Sequence, residues 1–281
     1  MTKEIADRAL TNARANKSLG QHFLFDPNIL ARAAGAAGPV DGRTVIEVGP
    51  GPGGLTAALL KAGAKRVIAI EADPRFAEAL ADWPEAGDRL HVTQADARKT
   101  DWRALIKDAG GDEPAMIIAN LPYNVGTPLL VDWLKAGDWR GEMALMFQLE
   151  VAERICAAPG DKHYGRLAVL AQAVTRPHIA FTLPPGAFKP PPKVASAVVT
   201  LQPLSHAERY HDLSKIERVA AAAFGQRRKM LRASLKSLVA GGHISAEALL
   251  ESVGIDPTRR AETLSQEEFR ALADAWTAKS A

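Results

Sequence analysis

Val45-Ile46-Glu47-Val48-Gly49-Pro50-Gly51-Pro52-Gly53-Gly54 is the stretch that decides the fold. A β-branched apolar run enters a glycine cluster, and Leu55 to Lys61 beyond it reads as a helix. Glycine lets a backbone turn sharply and come close to a ligand. The next apolar run, Arg66 to Ile70, ends at Glu71, about 20 residues past the loop, where a carboxylate can accept bonds from ribose hydroxyls. The spacing points to a nucleoside-containing ligand and leaves its identity open.

Working outward, strand-like and helix-like segments alternate. Phe76 to Trp83 reads as a helix, Leu90 to Gln94 as a strand and Trp102 to Asp108 as a helix. Met116 to Ala119 reads as a buried strand, Pro128 to Lys135 as a helix, Ala144 to Gln148 as a strand and Leu149 to Ala157 as a helix. This rhythm predicts an α/β fold with a mostly parallel sheet covered on both faces. Such sheets bind ligands outside the carboxyl ends of their strands. Past Pro177 the pattern changes. His178 to Leu183 and Val194 to Leu201 read as strands that pair as an antiparallel edge, with a proline-rich loop between them. From His211 onward the chain reads as helices over 211–224, 228–240, 244–252 and 265–277. The expected division is an N-terminal arm over 1–24, an α/β domain over 25–203 and a small all-helical domain over 204–281.

The chain has 281 residues with 35 basic and 32 acidic side chains, formally +3, so total charge decides nothing about partners. Distribution is more informative. Ala221 to Ala240 holds Arg227, Arg228, Lys229, Arg232 and Lys236 and no acid. On a helix 228, 232 and 236 share a face, which suits gripping a phosphate backbone. A solvated basic face is the plain alternative. A single cysteine, Cys156, excludes an internal disulfide and suggests a reducing compartment. No run is long enough for a membrane helix, and the first residues lack a secretory pattern, so a cytoplasmic, soluble protein is expected. The seven histidines are scattered without metal-ligand spacing, so no metal site is expected.

Two further segments carry chemistry. The third strand runs into Asp96, whose carboxylate can accept from the exocyclic amine of an adenine. The fourth runs into Asn120-Leu121-Pro122-Tyr123. Alone, that tetrapeptide reads as a turn. Beside a nucleoside site, the Asn oxygen and backbone carbonyls can accept both hydrogens of an exocyclic amine, and Tyr123 offers a face for stacking a base. Gly49, Gly51 and Gly54 satisfy a dinucleotide pattern, whereas Gly49, Gly51 and Gly53 satisfy the looser one of S-adenosylmethionine enzymes. A nicotinamide oxidoreductase would need a hydride-transfer acid or base, and no segment nominates one.

Taken in order, four segments resemble the ribosomal RNA adenine N6,N6-dimethyltransferase family, over almost the whole chain. They are Lys17 to Leu24, the glycine loop with Glu71, Asp96 and Asn120 to Tyr123, Phe188 to Val198, and Phe224 to Leu238. The resemblance is greater to the bacterial members that modify small-subunit (16S) RNA than to the large-subunit enzymes of macrolide resistance. It implies a Rossmann-like S-adenosylmethionine methyltransferase fold. It implies a cofactor set of His22, Leu24, Gly49, Gly51, Glu71, Asp96 and Asn120; many members carry Asn where this chain has His22. It implies that Asn120, Leu121, Pro122 and Tyr123 take the target amine and that Phe188 flanks the adenine opposite Tyr123. Arg227, Arg228, Lys229, Arg232 and Lys236 would hold RNA, with Arg14, Lys17, Lys189 and Lys193 as further candidates. The implied activity is dimethylation of two adjacent adenosines near the 3′ end of 16S rRNA, within the small subunit or its assembly intermediate, by a monomer. Relatives that only bind nucleic acid use the same scaffold; the intact Asn120-Leu121-Pro122-Tyr123 argues for retained chemistry.

Overall fold

The computed structural model describes residues 21–280, so Lys17 to Gly20 and the RNA candidates Arg14 and Lys17 lie outside the described residues. The chain is an α/β protein with a C-terminal helical region, and its contacts divide it into two compact units. The first runs to Ala152 and resumes over His178–Pro203; the second is Glu153–Pro177 with Leu204–Ala281. The expected single span 25–203 is therefore interrupted. The apolar helix over Arg166–Val174 belongs with the other helices.

The strands are β1 (Phe23–Leu24), β2 (Thr44–Val48), β3 (Arg66–Glu71), β4 (Leu90–Gln94), β5 (Ala115–Asn120), β6 (Arg140–Gln148), β7 (Thr175–Leu183), β8 (Phe188–Lys189) and β9 (Ser196–Pro203). In the first unit the helices are α1 (Pro27–Ala34), α2 (Gly54–Lys61), α3 (Pro74–Ala81), α4 (Trp102–Asp108) and α5 (Tyr123–Lys135). Three of them start on an aspartate whose side chain accepts from the first-turn amides: Asp26, Asp73 and Asp101. Proline follows the cap in α1 and α3, where its missing N–H costs nothing. Each cap contributes about 1 kcal/mol.

Seven strands form one sheet in the order β4-β3-β2-β5-β6-β9-β7. The pairs β4–β3, β3–β2, β2–β5 and β5–β6 are parallel, and β9 runs antiparallel to β6. From β2 the chain builds outward through β3 and β4, then returns to the other side of β2 for β5 and β6. That reversal opens a crevice at the carboxyl ends of β2 and β5. The central strands read Thr-Val-Ile-Glu-Val and Ala-Met-Ile-Ile-Ala-Asn because both faces are covered, and Val45, Ile46, Met116 and Ile117 are fully buried. Each such side chain contributes roughly 1.5–3 kcal/mol.

Two elements depart from expectation within this unit. Helix α5 begins at Tyr123, not Pro128, and carries Pro128 inside it. The proline-rich loop contains β8, which pairs with β1 so that Phe23 faces Lys189 and Leu24 faces Phe188. The strands β7 and β9 are neighbours at the sheet edge, as their patterns suggest.

The second unit holds α6 in part (Leu149–Cys156), α7 (Arg166–Val174), α8 (Leu213–Gly225), α9 (Leu231–Ser234), α10 (Lys236–Val239), α11 (Ala246–Glu251) and α12 (Gln266–Ser280). Tyr164 meets Phe224 edge-to-face at a centroid distance of 5.9 Å, and Phe224 stacks on Phe269 at 5.7 Å. The continuous helix expected over 228–240 is a turn followed by α9 and α10, broken at Leu235.

Candidate active site

The glycine loop leaves β2 with Gly49, Gly51 and Gly53 all in the left-handed region, at φ of 69°, 52° and 85°. At Gly51 the need is steric as well. A Cβ there would lie 2.5 Å from the Phe23 ring, so β1 packs directly onto the loop. The Gly51 amide donates to Glu71 Oε2 at 3.0 Å, and the Asp73 amide donates to Glu71 Oε1 at 2.9 Å. Glu71 thus ties the loop to the end of β3. Burial pushes its pKa up, and the two backbone amides pull it back.

Beneath the loop, Glu47 is fully enclosed in β2 and accepts from Thr56 Oγ1 of α2 at 2.6 Å. Burial raises its pKa to about 8, against the Thr56 bond, and the Glu71 charge raises it further. It is therefore mostly a neutral acid at pH 7. Sequence reasoning passed over it because its alternating position in an apolar strand carries no spacing signal.

A cavity of about 350 Å³ opens at the ends of β2 to β5. That falls within the range of small-molecule sites. One wall holds Gly49, Gly51, Glu71 and Asp96, with Ile70 and Ala95 as apolar surface. The Asp96 carboxylate caps its own turn at the Arg98 amide and pairs with the Arg98 guanidinium at 2.7 Å, which lowers its pKa to about 2. It stays ionised with lone pairs to spare. Arg98 is a lining residue with no sequence signal beyond its place two residues after Asp96.

The opposite wall is the end of β5. Asn120 Nδ2 donates to the His22 carbonyl at 2.8 Å, which fixes the amide and leaves Oδ1 as its acceptor. The Pro122 carbonyl is taken by the amides of Val125 and Gly126, at 3.1 and 3.0 Å, as α5 begins. Tyr123 lines the cavity, and its hydroxyl meets Ser196 Oγ at 2.8 Å. Burial raises the Tyr123 pKa, so it is a neutral phenol.

Of the expected site residues, His22, Gly49, Gly51, Glu71, Asp96, Asn120, Leu121, Pro122 and Tyr123 converge on this cavity. Leu24 and Phe188 do not line it. They face each other across β1 and β8 and are buried in the core, with Phe188 only 2% exposed. An aromatic inside a proline-rich loop looks exposed in sequence; strand pairing turns it inward. Among the basic residues, Arg227 is committed to Glu262 at 3.0 Å and to the Lys162 carbonyl at 2.7 Å. Arg228, Lys229, Arg232 and Lys236 are exposed. Because Arg228 sits in a turn, the shared helical face 228–232–236 is not formed.

Residues 12–277 match the family model described as ribosomal RNA adenine dimethylase. A relative from Agrobacterium fabrum named ribosomal RNA small subunit methyltransferase A is 58% identical, covering 92% of each chain. One of the same name from Mesorhizobium japonicum is 56% identical over 91% of each. Among solved structures, a dimethyladenosine transferase from Plasmodium falciparum superposes with a TM-score of 0.79 at 26% identity, covering 92% of this chain and 98% of that one. A 23S rRNA methyltransferase, ErmE, shares the fold at a TM-score of 0.67 and 24% identity, covering 91% and 99%.

Proposed function

Because the chain belongs to the ribosomal RNA adenine dimethylase family, we propose that it dimethylates N6 of two adjacent adenosines near the 3′ end of 16S rRNA. The reaction would take place in the cytoplasm, on the small subunit or its assembly intermediate, and would serve subunit biogenesis. Support comes from relatives more than half identical to it that carry the small-subunit name. The observation that carries the reading is the Asn120 amide, whose nitrogen is spent on the His22 carbonyl so that its oxygen is left at the cavity.

S-adenosylmethionine fits the donor end. The left-handed glycines leave room for a nucleoside against the loop. Glu71 keeps lone pairs for ribose hydroxyls, ionised Asp96 can take an adenine amine, and Ile70 and Ala95 supply flat apolar cover. When bound, this cofactor supplies a methyl carbon on positively charged sulfur. The chain's own task lies at the acceptor nitrogen. An adenine N6 lone pair is delocalised into the ring and is a poor nucleophile. Asn120 Oδ1 and the Leu121 carbonyl, each accepting one N6 hydrogen, would draw that lone pair out of conjugation. Tyr123 would hold the extruded base by its face. Positioning and fixed dipoles suffice for this, without a charged general base. The helical unit would grip RNA phosphates through Arg228, Lys229, Arg232 and Lys236, with Arg227 acting as an internal strut.

The test is transfer of labelled methyl from S-adenosylmethionine to small subunits from cells lacking this protein, followed by mapping of the modified bases. Label on N6 of neighbouring adenosines close to the 16S 3′ end is expected. Label on large-subunit RNA, or none on either, would overturn the assignment.

A further inference from the structure

We infer that Arg98 is a positioning residue: it holds the Asp96 carboxylate with a single acceptor site left for a ligand, and so makes the cavity prefer a 6-amino purine to a 6-oxo purine. The inference rests on the functional reading above and adds a residue to the donor end of the same site. Three donors of Arg98 meet the carboxylate. Its amide and Nε donate to Asp96 Oδ1 at 3.0 and 3.1 Å, and its Nη2 donates to Oδ2 at 2.7 Å. A carboxylate has about four acceptor sites, two on each oxygen. Oδ1 is therefore filled, and Oδ2 keeps one site. Both Asp96 and Arg98 line the cavity.

Just past the end of β3 the same device occurs with its last site closed. The Arg75 amide and Nε donate to Asp73 Oδ1 at 3.1 and 2.9 Å, and Arg75 Nη2 donates to Oδ2 at 2.6 Å. There Gln21 Nε2 also approaches Oδ2, at 3.5 Å, and the Asp73 side chain is only 4% exposed. Asp73 does not line the cavity. The Asp96 side chain is 35% exposed, and among the described residues no further donor takes its open site. An amine N–H can fill that site. A carbonyl oxygen in the same place would meet an acceptor and stay unpaired. The planar arginine fork fixes the carboxylate, so it cannot turn aside to relieve the mismatch. Glu71 differs in holding one amide on each oxygen, which leaves both oxygens open and suits the two hydroxyls of a ribose.

The experiment compares the full-length protein with Arg98→Met and Arg98→Lys. Calorimetry measures affinity for S-adenosylhomocysteine, the expected product, and for its inosine counterpart, which has an oxygen in place of the amine. Melting midpoints of the ligand-free proteins report folding. The native protein should prefer the adenine product roughly ten- to a hundredfold, the weight of one hydrogen bond to a charged group. Arg98→Met should bind the adenine product about five- to tenfold more weakly, as a misplaced bond to a charged group does, with its affinity for the inosine product changed less than about twofold. Arg98→Lys keeps the charge but cannot form the fork, so it should regain less than about half of the lost preference. Equal losses for both products, a native preference kept by Arg98→Met, full recovery in Arg98→Lys, or a native protein that binds both products equally would overturn the positioning role. If Arg98→Met melts well below the native protein, Arg98→Lys decides alone: a reduced preference supports the role and a native preference overturns it. A native protein that binds neither product would instead overturn the functional reading, and the positioning role with it.

Discussion

The two ends of the cavity use their polar groups differently. At the end formed by β2, β3 and β4, the carboxylates are already engaged: both Glu71 oxygens hold backbone amides, Asp96 holds Arg98, and Glu47 holds Thr56. These bonds shape a rigid wall, and under the proposed function its ligand contacts would come from spare lone pairs. At the end of β5, each group is braced but keeps one part uncommitted. Asn120 gives its nitrogen to His22 and keeps its oxygen; Tyr123 gives its hydroxyl to Ser196 and keeps its ring face. A wall that must bind a ligand unchanged can be fully braced. A wall that must act on a bond needs a braced group with an uncommitted working atom.

The contrast predicts how the two ends should fail. Asn120→Ala should lower methyl transfer about 10²–10³-fold, the usual loss for one preorganised polar partner, while S-adenosylmethionine affinity falls by less than about threefold in calorimetry. Comparable losses in both would erase the distinction between the ends. Gly51→Ala should do the reverse. A left-handed backbone and a collision with Phe23 together cost about 2–4 kcal/mol. Donor binding and the thermal midpoint should fall together, and a normal affinity would show that β1 yields easily.

Glu47→Gln probes the braced end through pH. The buried acid titrates at about 8 when folded and near its ordinary 4.5 when unfolded. The native state therefore binds more protons between those values, and its stability falls as pH rises from about 4.5 to 8. Glutamine mimics the neutral acid and keeps an acceptor for Thr56, so melting curves of the variant should show a flatter decline across that window. An unchanged slope would mean that other groups set it. The smallest effect belongs to Tyr123→Phe. It removes a hydrogen bond of about 1 kcal/mol and keeps the stacking face, so transfer should fall about two- to fivefold with donor affinity unchanged. A loss as large as that of Asn120→Ala would make the hydroxyl part of the chemistry.

Legibility in the sequence follows the same physics. The strand into glycines, the acid ending β3 and the Asn120 turn all sit at strand ends, where local chemistry and position coincide, and the structure brings them together. Trp102–Asp108 was readable to the residue because Asp101 caps it. Helix α7 gave no periodic signal, since Ala168, Val169, Leu170, Ala171, Ala173 and Val174 are buried on nearly every side. The start of α5 was hidden by Pro128, a residue that normally ends or opens a helix. Leu24 and Phe188 turned inward because a two-residue strand pair is a tertiary event with no local pattern. The basic stretch is unbroken in sequence, but the turn at 226–228 gives Arg227 and Arg228 different surroundings.

The bond between His22 and Pro190 closes across 168 residues of chain. On a ribosome making this protein, the amino-terminal segment emerges early and has nothing to pair with until the proline run has left the exit tunnel. This end of the cavity would thus be completed late in synthesis, after the parallel strands that frame it, and a half-made copy would not yet have Asn120 and Tyr123 braced from both segments.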